Sequence, residues 1–248
     1  MTFPIIKPNW PAEANVQGFT STRQGGVSSA PYDSLNLAEH VGDNPQDVAQ
    51  NRALLAAQYP AELNWAWLDQ QHTTRAVHFN QAWSEKQVAD AMWTDQPNQV
   101  CTVMTADCLP ILLTNKSATL VAAVHAGWRG LADGIVGATI ASLPEKPSNM
   151  MAWIGPAISQ ASFEVGDEVL DAFVERDAQA TRFFSPSATT PGQWMADLPG
   201  LAKQQLAGLG VEQVFLSGLC TFRDEDKFYS FRRNPQTGRM VSAIWLTL

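Results

Sequence analysis

Apolar runs of strand length alternate along this chain with helix-like stretches, and glycines and prolines punctuate the changes of period. That alternation constrains the fold more than any other feature, because strands interleaved with helices assemble into an α/β domain around a mixed or parallel sheet. The strand-like segments are 66–71, 101–105, 118–125, 151–155, 214–219 and 241–246, all rich in β-branched, aromatic or small apolar residues. One helix is announced where Asn44 can cap and Pro45 can take the first turn ahead of Val48, Leu54 and Leu55. Others cover 131–143, start near Asp167 with Val169, Leu170 and Phe173 turned inward, and cover 198–209 with Gly210 as a left-handed stop. The stretch SPSATTPGQ, 185–193, reads as an exposed loop. With no repeat and 45% hydrophobic residues to supply a core, the 248 residues are read as one domain, 1–248.

Charge narrows the partners. A net charge of -8, from 16 Lys and Arg against 24 acids, disfavours nucleic acid and anionic membrane surfaces, which demand a basic face, and favours a small molecule. No segment approaches the roughly 20 apolar residues of a membrane span, and MTFPIIKPNW lacks the pattern of a secretory signal, so a cytoplasmic location is expected. Cys101, Cys108 and Cys220 are odd in number and far apart, which argues against a disulfide framework. A cysteine with a special role here is a ligand or a nucleophile.

Histidines are scarce, at 40, 72, 78 and 125, and three residues fall at strand ends where α/β folds expose functional side chains. His125 closes the apolar run LVAAVH before the Gly-bounded turn AGWRG, Cys108 follows CTVMTA and precedes a proline turn, and His72 follows WAWLDQQ. Two imidazoles and a thiolate leave the fourth tetrahedral position of a zinc ion open, which is what separates a catalytic site from a closed structural one. Such a metal brings a bound water's pKa down to roughly 7. The gaps of 36 and 17 residues match no short zinc motif, so by spacing alone hydrogen-bonded core histidines and a buried thiol remain open as the alternative. Copper fails by counting, since four histidines cannot serve both a mononuclear site and a histidine-rich trinuclear cluster.

The segments TSTRQGGVS, YDSLNLAEHVGD, TADCLPILL, VAAVHAGWRG, IGPAIS, FEVGDEV and DKFYSFRRNPQTGRM resemble the laccase-domain family, from about Thr20 to the end of the chain. Bacterial members of that family are described as purine nucleoside phosphorylases, polyphenol oxidases or peptidoglycan editing factors. The resemblance implies one zinc per chain on His72, Cys108 and His125, and an α/β/β/α layered domain. It implies purine nucleosides and phosphate as partners, with cleavage of adenosine, inosine, guanosine or methylthioadenosine by phosphate and deamination of adenosine. A homodimer is open to such a chain. One departure is local: the family usually carries Gly after the first ligand histidine, and here Thr73 follows His72.

The remaining candidates have physical readings beside the family one. Arg23 with Gly25 and Gly26 could bring a guanidinium and bare amides to a phosphate, or form an ordinary turn; the family pattern favours contact with phosphate or substrate. Asn36 and His40 could line the pocket or brace a loop. Arg129, at the start of the helix after His125, could hold an anion or pair with Asp107. Asp107 is read as the acceptor that orients a ligand histidine, in preference to a role on a substrate proton. Arg232 and Arg233 divide between pinning the chain end and binding substrate, His78 reads as surface, and Trp65, Trp67, Trp128, Trp153 and Trp245 read as core, with no one of them singled out to stack on a base.

Two other functions compete with the nucleoside enzyme. Cys108 could be a covalent nucleophile activated by His125 and suited to an amide in a peptidoglycan precursor. Alternatively, the metal could be a staple in a non-catalytic binding protein.

Overall fold

The computed structural model of the chain describes residues 3–80 and 86–248. Two mixed sheets dominate it. The first runs in the order Ile5–Ile6, Val16–Ser21, Met240–Leu246, Gln99–Thr105, Asn64–Trp65, antiparallel except for its last pair. The second runs Gln213–Leu216, Met150–Ile154, Leu109–Asn115, Val121–Ala126, Ala91–Thr94, Ala76–His78, antiparallel in the middle and parallel at both edges.

The two-residue period of a strand decides the layering. Val121 and Ala123 face inward between the sheets with Cys101, Val103, Leu112, Trp153 and Ile244. Their neighbours Ala122 and Val124 face outward, against Leu131, Ile135, Val136, Leu201 and Leu206 of the helices. On the first sheet Val241, Ala243 and Trp245 point away from Ile244 and pack with Phe19, Val100 and Leu55 of the helix Pro45–Ala56. The result is helix, sheet, sheet, helix, the expected α/β/β/α order. Strands covered on both faces are apolar throughout, which is why they read as continuous runs. Each fully buried Leu, Ile, Val or Phe contributes about 1.5–3 kcal/mol.

Caps behave as their residues predict. Asn44 accepts from Gln46 N at 3.0 Å ahead of Pro45, and Gly210 stands in the left-handed region at φ 96° beyond the helix Leu198–Gly208. Elsewhere tertiary context prevails over local pattern. The helix expected over 131–143 is two, Trp128–Asp133 and Ile135–Ser142, broken at Gly134 with φ 100°, whose N–H satisfies the carbonyls of Gly130 and Leu131. The proline turn expected after Cys108 is instead the start of Leu109–Asn115, a central strand. Pro110 fits there because it sits at the strand's end, where the partner His125 donates its N–H across to Asp90 O at 2.7 Å.

Of the strand expected over 66–71 only Leu68–Asp69 pairs, with Gln87–Val88. The strand expected from 118 begins at Val121, because Ala118 holds φ 51° in the preceding turn. Val16–Ser21 and Ala91–Thr94 are strands that the pattern did not single out. The loop 185–193 is the end of a hairpin between Phe184–Pro186 and Trp194–Ala196. Among the described residues no helix is long and apolar enough to cross a membrane.

Candidate metal centre

Three chain turns bring His72, Cys108 and His125 together. His125 is buried in the strand Val121–Ala126, Cys108 is half-buried between Gln99–Thr105 and Leu109–Asn115, and His72 lies exposed after Leu68–Asp69. One ligand atom from each lies within 4.8 Å of the others. Cys108 Sγ stands 3.9 Å from His72 Nε2, and the two imidazole rings meet edge to face with centroids 4.9 Å apart. Tetrahedral zinc, with bonds of about 2.3 Å to sulfur and about 2.0 Å to nitrogen, places S and N roughly 3.5 Å apart, so the set needs only a slight contraction to close on an ion.

Gly127 shows how tightly the cradle is drawn. A Cβ there would stand 2.6 Å from His72 Cδ2, 2.8 Å from its Nε2 and 3.0 Å from Cys108 Sγ. Glycine is therefore required by close approach, and the residues present fit a metal ion.

The two histidines are tied together by Asp90. Its carboxylate accepts from His125 Nδ1 at 2.7 Å, which directs Nε2 toward the ligand cluster, and from the backbone N–H of His72 at 3.1 Å and Thr73 at 2.6 Å. Thr73 Oγ1 adds a fourth bond at 2.8 Å. Burial pushes the Asp90 carboxyl up, but the bonds from His125 and Thr73 prevail and hold it below its ordinary value. These bonds also hold the turn in which His72 takes φ 58°, a left-handed conformation that an L residue adopts at a cost of about 1–3 kcal/mol. Thr73, standing where the family usually has Gly, is itself one of the donors to that carboxylate.

Electrostatics separate Cys101 from Cys108. Burial pushes the Cys101 thiol up between the sheets, as for an inert core residue. Burial acts the same way on Cys108, yet His125 and His72 beside it outweigh that and hold the thiol down at about 6. Burial lowers His125 in turn, but Cys108 and Asp90 prevail and raise it to about 9. The site is therefore built to carry a thiolate, the form that binds metal.

A cavity of about 370 Å³ opens over these ligands, a size suited to a small organic molecule. Its lining includes the apolar Trp128, Ile158, Phe163 and Leu198, the cationic Arg129, Arg232 and Arg239, and the imidazole of His40. Of the candidates read from sequence, His72, Cys108, His125, Asp107, His40 and Arg129 all line it. Arg129 makes no ion pair among the described residues and lies over the Trp128 ring at 4.2 Å. Burial, then Arg239 and Lys86, lower the His40 pKa, which keeps that imidazole neutral near pH 7.

Three readings need correction. Asp107 orients no histidine: its carboxylate accepts from Thr221 Oγ1 at 2.6 Å, Ser230 Oγ at 3.0 Å and Arg232 N at 2.7 Å, bracing the Cys108 turn against the C-terminal segment. Asn36 is wholly buried and spends its amide on Ala38, Asp43 and Arg239 N, so it braces a loop and stays off the cavity wall. Arg23 lies outside this cavity, in a notch with Asp33, Glu225 and Asp226, where it pairs with Asp33 at 3.2 Å. The amides of Gly25 and Gly26 are taken by Ser34 Oγ at 3.0 and 3.1 Å, so they are not bare.

Arg232 donates to Glu164 O at 2.7 Å and also lines the cavity, whereas Arg233 pins the chain to the carbonyls of Thr221, Phe222 and Phe228. His78 is exposed as expected and stacks on Trp93 with centroids 3.7 Å apart. Asp90, Gly127, Thr105 and Arg239 went unread. Asp90 had a signal: a lone acid within the apolar run VADAMW must find donors if it is buried.

An α/β/β/α domain whose strand ends gather two histidines and a thiol that could hold a metal ion is the class that this geometry defines. The chain belongs to the family described as multi-copper polyphenol oxidoreductase laccase, whose model matches residues 17–247. It is 46% identical over 240 residues to a purine nucleoside phosphorylase of Haemophilus influenzae, covering 97% of this chain and 98% of that one. Purine nucleoside phosphorylase YfiH of Escherichia coli is 45% identical over 242 residues, 98% of each chain. Neisseria meningitidis protein NMB0706 shares the fold with a TM-score of 0.94 at 45% identity, covering 98% of this chain and 99% of that structure.

Proposed function

We propose that this chain is a cytoplasmic, single-domain purine nucleoside enzyme that holds one zinc ion on His72, Cys108 and His125. It cleaves adenosine, inosine, guanosine and methylthioadenosine with phosphate and deaminates adenosine to inosine. The observation that carries the reading is the preformed ligand set under a cavity lined by both apolar and cationic residues. The names of the relatives support phosphorolysis, and the free thiols Cys101, Cys108 and Cys220 fit a reducing compartment. Zinc on three protein ligands supplies a Lewis acid with a fourth position left over.

The chain's own part is to orient and to hold. Asp90 fixes the His125 tautomer, and Asp107 fixes the Cys108 turn. Phe163 and Trp128, with Arg232 and Arg129 over their rings, supply aromatic and guanidinium planes for the base. In phosphorolysis a phosphate oxygen bonds to the sugar C1′ as the bond from C1′ to the base nitrogen breaks, and the base leaves with a proton. In deamination water adds at the purine C6 and ammonia departs. Metal-quantified protein incubated with adenosine should give adenine and ribose 1-phosphate only when phosphate is present, and inosine with or without it. Chromatography that finds neither product from fully loaded protein overturns the reading.

One arrangement favours a second reading. Cys108, His125 and Asp90 stand in the order nucleophile, base and orienting carboxylate, with the thiol held low. Under that reading metal-free protein is the active form. Turnover lost on chelation and restored by zinc, with bound metal shielding Cys108 from alkylation, removes it.

A further inference from the structure

The cavity wall carries polar groups that the protein itself leaves unsatisfied. Thr105 is 1% exposed, and its Oγ1 has no hydrogen-bond partner among the described residues, although it lines the cavity. A buried hydroxyl in that state is costly unless something else completes it. Strand register pairs Thr105 with Met240, and Arg239, the residue before that partner, lines the same cavity. Among the described residues the Arg239 guanidinium donates only from Nη1, to the carbonyls of Thr237 and Gly238, and forms no ion pair. Burial pushes its guanidinium below the ordinary value, and the nearby Cys108 and Asp107 offset that only in part.

The surroundings agree. In a chain with more acids than bases, Arg129, Arg232 and Arg239 line this cavity, and the one carboxylate on its described wall, Asp107, has both oxygens engaged. A planar guanidinium and a hydroxyl donor in a cavity with two further arginines match a tetrahedral oxyanion. We infer that Thr105 and Arg239, flanked by Arg129 and Arg232, form an oxyanion subsite of the cavity that takes inorganic phosphate. This deepens the phosphorolysis reading, on which its role as a co-substrate site rests. It also moves the phosphate away from Arg23, whose charge is already answered by Asp33.

The test is calorimetric titration of inorganic phosphate into metal-quantified protein, alongside separate titration of adenosine. Arg239→Gln should weaken phosphate binding by about 10- to 100-fold, the loss of a charge-assisted bond. Thr105→Val should weaken it by about 3- to 10-fold while leaving the phosphate-free melting temperature unchanged or higher, since the lost hydroxyl was unsatisfied. Arg239→Lys should restore part of the affinity, and Arg23→Gln, with adenosine binding and metal content in every variant, should stay within about twofold. Wild-type protein that binds no phosphate, or variants at 105 and 239 that bind it normally, would overturn the subsite. Phosphate binding that depends on Arg239 but yields no adenine from adenosine retires phosphorolysis and leaves the subsite standing. Adenine release with an unchanged phosphate KM in Arg239→Gln does the reverse.

Discussion

The notch around Arg23 and the cavity around Cys108 are built from similar parts and behave oppositely. Each has an arginine beside a tight turn, and each has a residue in the left-handed region, Gly25 at φ 98° and Asp107 at φ 94°. In the notch the charge is closed: Asp33, Glu225 and Asp226 surround Arg23, and Ser34 takes the glycine amides. In the cavity the charge is open: three arginines face a wall whose single described acid, Asp107, is already spent on Thr221, Ser230 and Arg232. An arginine near glycines therefore marks an anion site only where neighbouring acids do not reach it first.

Substitutions can break or sharpen that contrast. The largest effect is expected from Gly127→Ala, because its Cβ would meet the far end of the His72 ring. That side chain can swing away, so the fold should survive while metal stoichiometry collapses and activity falls by more than about 100-fold, beyond the range of outer partners. Unchanged metal content, measured by atomic emission on the folded variant, would mean the cradle is looser than its geometry indicates.

Asp90→Asn comes next. The amide can accept from fewer of the donors that now converge on the carboxylate, so metal affinity should drop by about 10- to 100-fold. Stability should fall by about 1–3 kcal/mol, read by denaturant unfolding of metal-free protein. An unaltered competition constant against a chelator would show that His72 and His125 need no common anchor.

Arg23→Gln should do least. Turnover should be unaffected, and stability should fall by no more than about 1 kcal/mol, as for a partly exposed ion pair. A phosphate KM raised tenfold or more in that variant would reverse the comparison and return the anion to the notch.

The ligands were legible because each ends a strand-like run in a chain with few histidines, and TADC with HAGWRG carried a family resemblance. Asp90 was harder to read because its donors come from residues 71–73 and 125, which no local window joins. Asn36 and Arg23 misled because each is engaged twice, by near partners (Ala38 and Asp43 for one, Asp33 for the other) and by residues 239 and 225 some two hundred positions away. Gly134 was read as helix interior because the run 131–143 is apolar on both sides of it, and the φ of 100° that divides the run belongs to the packed chain.

Short segments were enough for the α/β class and the caps at Asn44 and Gly210, because periodicity and capping are local, whereas the layered order and the candidate metal ligands His72, Cys108 and His125 came with the family resemblance that longer motifs carry. Tertiary structure alone decided that Gly127 must carry no side chain, that Asp90 and not Asp107 orients a histidine, and that Arg239 makes no ion pair among the described residues while Arg23 pairs with Asp33. Those outcomes depend on which distant donors and acceptors arrive within about 3 Å of one another, and packing sets that distance.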